Sequence, residues 1–115
     1  MGTAKAFGWV TLVAGVWEIL APFIIGYSSV TGPTTNAIIL GIVLGLFGLW
    51  VALSKSASTV RTLSWVNAIL GAWLIVAPFI INYGGKTGPL VNDIIVGVVV
   101  AVLEVWGAVS AGKTA

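Results

Sequence analysis

The sequence predicts an all-α fold, an integral membrane four-helix bundle made of two tandem two-helix repeats related by a pseudo-two-fold along the membrane normal. Three observations lead to it: an apolar composition, four apolar segments of membrane-spanning length, and an internal duplication. Of the 115 residues, 59% are hydrophobic and 7% are charged, with a mean hydropathy of +1.15, whereas a soluble domain has roughly 25% charged residues. Because so few charges cannot cover a soluble domain, residues 1–115 are predicted to form a single transmembrane domain.

Four apolar segments are long enough to cross a bilayer, which takes about 20 residues. They run over residues 7–25, 36–54, 63–81 and 92–110. In hydrocarbon every backbone group needs an internal partner, and these segments lack the alternation of barrel strands, so each is predicted to be a helix. Pro22 and Pro78, late in the first and third segments, predict kinked helices that continue for about one more turn.

The two longer connections carry turn-forming residues. The Thr-Gly-Pro triplet at 31–33 and its copy at 87–89 predict turns. Asn36 and Asn92 follow these triplets, and an asparagine there accepts hydrogen bonds from the free amides of a first helical turn. Asn36 and Asn92 are therefore predicted to be the N-caps of the second and fourth helices.

The basic residues predict the orientation. Four of them fall on one side of a four-span arrangement: Lys5, Lys55, Arg61 and Lys113. Lys86 falls on the other side. Because cytoplasmic loops are enriched in Lys and Arg, both termini and the linker at 55–62 are predicted to be cytoplasmic, in a multi-pass protein of the cell (inner) membrane.

An internal duplication organises the chain. Residues 9–54 (repeat 1) align without a gap on residues 65–110 (repeat 2), a shift of 56 residues, and 22 of the 46 positions are identical. The signature residues of the repeat are Trp17, Pro22 and Asn36 in the first copy and Trp73, Pro78 and Asn92 in the second. Each repeat holds two segments, so both repeats enter the membrane from the same side. The duplication is parallel, unlike the inverted repeats that underlie many alternating-access transporters.

The repeated unit resembles the SPW repeat of small bacterial and archaeal membrane proteins. Each unit reads Trp-(x)7-Trp-(x)3-Ala-Pro-Phe and then Asn-(x)-Ile-Ile-(x)-Gly, the latter seen as "NDIIVG" at 92–97. Ala-Pro-Phe stands at 21–23 and 77–79 in place of the Ser-Pro-Trp triplet that gives the family its name. The resemblance implies paired two-helix units in the membrane and brings no established activity with it.

Small residues recur at a spacing of four in the second and fourth segments. Gly41 and Gly45 share one face of the second, and Gly97 and Ala101 share one face of the fourth. Such faces let helix backbones approach closely in lipid. They serve either to close the bundle or to join protomers.

Two acids lie well inside predicted helices and are not repeated. Glu18 aligns with Leu74, and Glu104 aligns with Gly48. At about 1.5 Å of rise per residue, both carboxyls should lie near the bilayer midplane, with no Lys or Arg at that depth. An ionised carboxylate there is costly, so at least one is expected to be neutral at pH 7. Glu18 and Glu104 form a candidate intramembrane acid pair, which either binds a proton or cation or hydrogen-bonds across helices, with Asn67 or a partner subunit.

These features favour a structural or interaction subunit in the lipid bilayer, which forms a homo-oligomer or serves a larger membrane complex. The alternative is a small proton or cation transporter or channel that uses Glu18 and Glu104. No catalytic activity is expected, because the chain has no His or Cys and only Asp93 as a further acid, so no nucleophile–base pair can be assembled. Because His and Cys are the usual metal and cofactor ligands, their absence predicts no metal site and no cofactor. The few basic residues form no nucleic-acid patch.

Overall fold

The computed structural model describes residues 2–26, 31–81 and 87–114. Within them the chain folds into four helices, each long and apolar enough to cross a membrane. The helices are α1 (Gly2–Ala21), α2 (Thr31–Leu53), α3 (Ala57–Ile81) and α4 (Thr87–Thr114). The predicted all-α, four-helix membrane fold is thereby confirmed.

The helices form an up-and-down bundle with antiparallel neighbours. α1 packs mainly on α2 and α3 mainly on α4, with smaller contacts between α1 and α4 and between α2 and α3. The bundle measures 44 × 20 × 15 Å, long enough for the hydrocarbon core of a bilayer, which is about 30 Å thick. The start of α1, the end of α4 and the link between α2 and α3 lie at one end, the terminal end. The ends of α1 and α3 and the starts of α2 and α4 lie at the opposite, hairpin end.

As predicted, the first and third helices continue past the prolines that lie late in their segments. Beyond Ala21 the first helix continues as a π-helical turn over Pro22–Gly26, and α3 continues past Pro78 to Ile81. In a π-helical turn each amide bonds the carbonyl five residues earlier, and this wider turn tolerates the missing amide donor of proline. Gly26 has a φ of 98°, a left-handed conformation that favours glycine.

The second and fourth helices begin earlier than predicted. Thr31 and Thr87 open them, so the Thr-Gly-Pro triplets form first helical turns and not turns between helices. Proline is tolerated there because the first amides of a helix have no intrahelical acceptor. The N-cap prediction for Asn36 and Asn92 is therefore wrong, since both lie in the second helical turn with buried side chains.

The cationic linker between α2 and α3 is shorter in the structure than the predicted 55–62. Residues 54–56 are non-helical, and α3 begins at Ala57. Ser56 caps the helix: its Oγ accepts a hydrogen bond from the Thr59 amide at 3.3 Å, and its carbonyl accepts one from the Val60 amide at 3.0 Å. Serine is among the preferred N-cap residues, so the helix starts inside the polar stretch.

The core of the bundle is thin and contains two apolar clusters. The terminal apolar cluster consists of Ala4, Val51, Val60 and Leu63. The central apolar cluster consists of Leu40, Leu44, Leu74, Val96 and Val100. Many other large apolar side chains, such as Val13, Ile69 and Phe79, point outward and are exposed. Hydrocarbon is the solvent that suits such a surface.

In each two-helix hairpin, a glycine of one helix packs directly against the backbone of the other helix. A Cβ atom added to Gly15 would lie 2.5 Å from the Gly45 nitrogen and 2.6 Å from the Gly41 oxygen. In the second hairpin, a Cβ atom added to Gly71 would lie 2.7 Å from the Ala101 nitrogen and 2.9 Å from the oxygen of Gly97. The small residues singled out in the sequence therefore lie at the contact between the two helices of a hairpin.

Candidate polar sites inside the bundle

All three acids of the chain are buried between α1 and α4. Glu18 lies on α1, Asp93 and Glu104 lie on α4, and each is 0% exposed. The positions one repeat away are Leu74, Ala37 and Gly48. They belong to α3 and α2, so the α1–α4 interface is acidic at places where the α2–α3 interface is apolar.

The first polar group, the hairpin-side cluster, consists of Trp17, Glu18, Asn92 and Asp93. Trp17 Nε1 donates a hydrogen bond to Asn92 Oδ1 at 2.6 Å, and Asn92 Nδ2 donates to Glu18 Oε1 at 2.9 Å. The same Nδ2 lies 3.3 Å from Asp93 Oδ1, and the Asp93 carboxyl interacts with that of Glu18. Asn92 therefore links the two helices, while Glu18 Oε2 has no hydrogen-bond partner among the described residues.

The second polar group, the terminal-side cluster, consists of Thr11, Ser64, Asn67 and Glu104, from α1, α3 and α4. The Thr11 hydroxyl donates a hydrogen bond to Glu104 Oε1. The Ser64 and Asn67 side chains lie close enough to the same carboxyl to act as hydrogen-bond donors, without reaching good hydrogen-bond geometry. Even so, four buried atoms of the cluster make no hydrogen bond in the described part of the chain: Glu104 Oε2, Ser64 Oγ, and the oxygen and nitrogen of the Asn67 amide.

The structure does not bring Glu18 and Glu104 together. Glu104 is bonded to Thr11, which precedes Glu18 by seven residues, or about 10 Å along α1. On α4, Val96 and Val100 of the central apolar cluster lie between Asp93 and Glu104. Counting residues from opposite ends of two helices placed both acids near one level. The side-chain contacts place the two acids at two different depths, with an apolar layer in between.

The two signature asparagines bind the two signature tryptophans of the other repeat. Trp17 of repeat 1 donates to Asn92 of repeat 2, and Trp73 of repeat 2 donates to Asn36 of repeat 1 at 2.9 Å. The signature residues Pro22 and Pro78 lie outside these bonds, at the hairpin ends of their helices.

Sequence reasoning missed Thr11 and Ser64, and it did not place Asp93 beside Glu18. A signal for two of the three was present. Ser64 aligns with Gly8 and Asp93 aligns with Ala37, so each is a polar residue whose counterpart has no polar side chain. Thr11 aligns with another polar residue, and the alignment of the repeats gives no such signal there.

The chemistry open to these clusters is the binding of protons or cations. Among the described residues, no group of three or more His, Cys, Asp or Glu side chains is placed to hold a metal ion. The hairpin-side cluster has two carboxyls and one amide, and the terminal-side cluster has one carboxyl, one amide and two hydroxyls. Neither contains a charged nitrogen that would pair with its acid.

A sequence model described as the SPW repeat domain matches residues 5–107. Searches of curated proteins and of solved structures find no match. The matched range contains repeat 1, all but the last three residues of repeat 2, and both polar clusters, and it leaves only short stretches at either end. The chain belongs to the SPW repeat family.

Proposed function

We propose that this protein is a structural or interaction subunit of the membrane, which assembles with itself or serves a larger membrane complex and has no catalytic activity. One observation carries the proposal: the acids are fully enclosed within a single chain, and an apolar layer separates their two clusters. A conducting or catalytic carboxyl needs a route to substrate. These carboxyls instead join helices of one bundle, as intramembrane acids do when they are paired inside.

The lipid-facing side of the first hairpin supports an interaction role. It carries an apolar groove of about 270 Å³ between α1 and α2, whose lining includes Leu12, Ile42, Gly45 and Leu46. Glycine at the wall of a groove allows a neighbouring helix to approach closely in lipid. We propose this groove as the contact surface for a second subunit.

The proposed architecture is a pseudo-two-fold bundle whose axis runs along the membrane normal. Two sets of contacts support it, because each recurs at a shift of 56 residues. The Gly15 contact in the first hairpin has its equivalent at Gly71 in the second. The hydrogen bond from Trp17 to Asn92 has its equivalent from Trp73 to Asn36, with the repeats exchanged.

The proposed orientation puts the terminal end in the cytoplasm, in the inner membrane of the cell. Lys5, Lys55 and Arg61 support it, since they lie in the terminal half of α1, in the α2–α3 link and in the first turns of α3. Lys113 belongs to the end of α4. Lys86 falls outside the described residues. An excess of Lys and Arg marks cytoplasmic segments.

Native mass spectrometry after gentle extraction tests the proposed role. We expect a defined homo-oligomer or a stoichiometric complex with a second protein. Ile42→Trp fills the groove and should shift the population toward monomer. Val98→Trp, the equivalent exposed position of the second hairpin, is the matched control and should leave assembly unchanged. A wild-type protein that is monomeric and free of partners contradicts the proposal.

A second candidate is a small proton or cation transporter that uses Glu18 and Glu104. The observation in its favour is that Glu18 Oε2 and Glu104 Oε2 are buried and have no hydrogen-bond partner among the described residues. Ion flux into liposomes separates the two functions. If the structural proposal is correct, proteoliposomes should take up protons and sodium no faster than protein-free vesicles. A flux that is lost in both Glu18→Gln and Glu104→Gln would establish the second candidate instead.

A further inference from the structure

We infer that the terminal-side cluster binds one small monovalent cation, with Glu104, Asn67, Ser64 and Thr11 as its oxygen ligands. The inference goes beyond the structural role proposed above and does not depend on it, because an ion held inside one chain stabilises that chain whether or not it assembles. It also revises the expectation of no metal site, which considered only His, Cys and clustered acids. A single carboxylate with neutral oxygens is enough for an alkali cation.

The number of unpartnered atoms is the first step of the argument. In the described part of the chain, Glu104 Oε2, Ser64 Oγ and both amide atoms of Asn67 make no hydrogen bond of good geometry, although Ser64 and Asn67 lie close enough to the Glu104 carboxyl to act as donors. All three residues are 0% exposed. Buried polar groups are nearly always satisfied in native proteins, so four such atoms around one carboxyl indicate a ligand. A proton on Glu104 would supply a single donor. A cation instead draws on the three oxygens among these four atoms and on the Thr11 hydroxyl.

Charge is the second step. Glu104 is the only acid in the cluster, and a buried carboxylate has to be paired or neutralised. Two basic residues are near the cluster along the chain. Arg61 is exposed, and Lys5 lies about 9 Å before Thr11 along α1. One carboxylate balances one positive charge, which favours a monovalent ion. Oxygen-only donors favour a hard cation.

The surroundings of the cluster are the third step. On α3 the ligands Ser64 and Asn67 lie between Leu63 of the terminal apolar cluster and Leu74 of the central one. An ion held there exchanges its water shell for protein oxygens. The hairpin-side cluster differs, because Asn92 already bonds both Trp17 and Glu18.

The other half of the protein has no equivalent site. The counterparts of Ser64 and Glu104 are Gly8 and Gly48, which pack backbone to backbone. A Cβ atom added to Gly48 would lie 2.7 Å from the Gly8 oxygen. Repeat 1 therefore has no room for side-chain ligands at this level, and the described residues form a single site of this kind.

Thermal unfolding of the purified protein in detergent tests the inference. The chloride salts of Na⁺, Li⁺ and K⁺ are compared with choline chloride at equal ionic strength. A ligand that binds the folded state alone raises the melting temperature as it saturates, so at least one of these ions should raise it above choline. Glu104→Gln should abolish the effect, and Glu18→Gln, the control acid, should keep it. Equal melting temperatures in all four salts overturn the inference and leave a protonated Glu104 with a buried water.

A second variant guards against a Glu104→Gln protein that does not fold. Ser64→Ala removes one neutral oxygen, and we expect it to raise the half-saturating ion concentration roughly 10-fold. An unchanged half-saturating concentration in Ser64→Ala also overturns the site as described. Native mass spectrometry on the same samples reports assembly separately, so a failure of the ion site and a failure of the structural role are distinguishable.

Discussion

Gly15→Ala is expected to destabilise the protein by a net of about 2 kcal/mol, because forcing extra atoms into this packed contact should cost about 3 kcal/mol. The added Cβ would lie 2.5 Å and 2.6 Å from backbone atoms of Gly45 and Gly41. Backbone cannot rotate away as a side chain can, so α1 and α2 must separate and lose the close contact along the hairpin. The helix propensity of alanine offsets about 1 kcal/mol of this cost. Unfolding by SDS titration in mixed micelles, followed by circular dichroism, measures the net effect.

Gly45→Ala is the matched control for this experiment. A Cβ atom on Gly45 would meet only Leu12 Cδ1, at 3.8 Å, and the equivalent residue of the second repeat is already Ala101. Gly45→Ala should leave stability unchanged or raise it slightly. Gly71→Ala should resemble Gly15→Ala if the two hairpins are equivalent. Equal stabilities for Gly15→Ala and Gly45→Ala would show that the closeness of the hairpin contact does not limit stability.

Asn92→Leu is expected to destabilise the protein by about 2–3 kcal/mol. Asn92 joins Trp17 to Glu18 across the α1–α4 interface. Its loss leaves the Trp17 indole nitrogen and Glu18 Oε1 without the amide, and an unsatisfied buried polar group costs about 1–3 kcal/mol. The Asp93 carboxyl, which interacts with that of Glu18, also loses its contact with the Asn92 amide. The same SDS titration measures the change.

Asn36→Leu is the control, because it removes the equivalent amide from the interface between α2 and α3. It breaks the bond to Trp73, but the counterpart of Glu18 there is Leu74, which is apolar and buried. Helix-to-helix hydrogen bonds in membranes contribute about 0.6 kcal/mol on average, so Asn36→Leu should be the milder variant. If Asn36→Leu proved as costly as Asn92→Leu, the acids would not be what makes Asn92 important.

The sequence predicted a membrane protein with four helices, because backbone groups in hydrocarbon have no water to bond and need partners within the protein. A long apolar segment in a bilayer has to satisfy its own amides and carbonyls, which a helix does internally. Segments such as 63–81 were therefore readable without any knowledge of their neighbours. The continuation past Pro22 and Pro78 was also predictable, since a helix that ended there would be too short to cross.

The helix starts were harder, because the same residues serve two purposes. Thr-Gly-Pro is typical of a turn, yet proline also suits the first turn of a helix. A short polar sequence does not decide between them. Moving each start back to Thr31 and Thr87 put Asn36 and Asn92 inside the helices, and from there they reach the indoles of the other repeat.

The amino-acid sequence was enough to predict a membrane environment, the four helices, the duplication and which acids have no counterpart in the other repeat. The residues that those acids contact became known only from the packing of the helices. Residue counting put Glu18 and Glu104 at one level although their contacts lie about 10 Å apart along α1, and it says nothing about the rotation of a helix around its axis. Close backbone contacts such as those of Gly15 and Gly71 set that rotation. It is this rotation that turns Glu104 toward Thr11 and Ser64, and Glu18 toward Asn92 and Asp93.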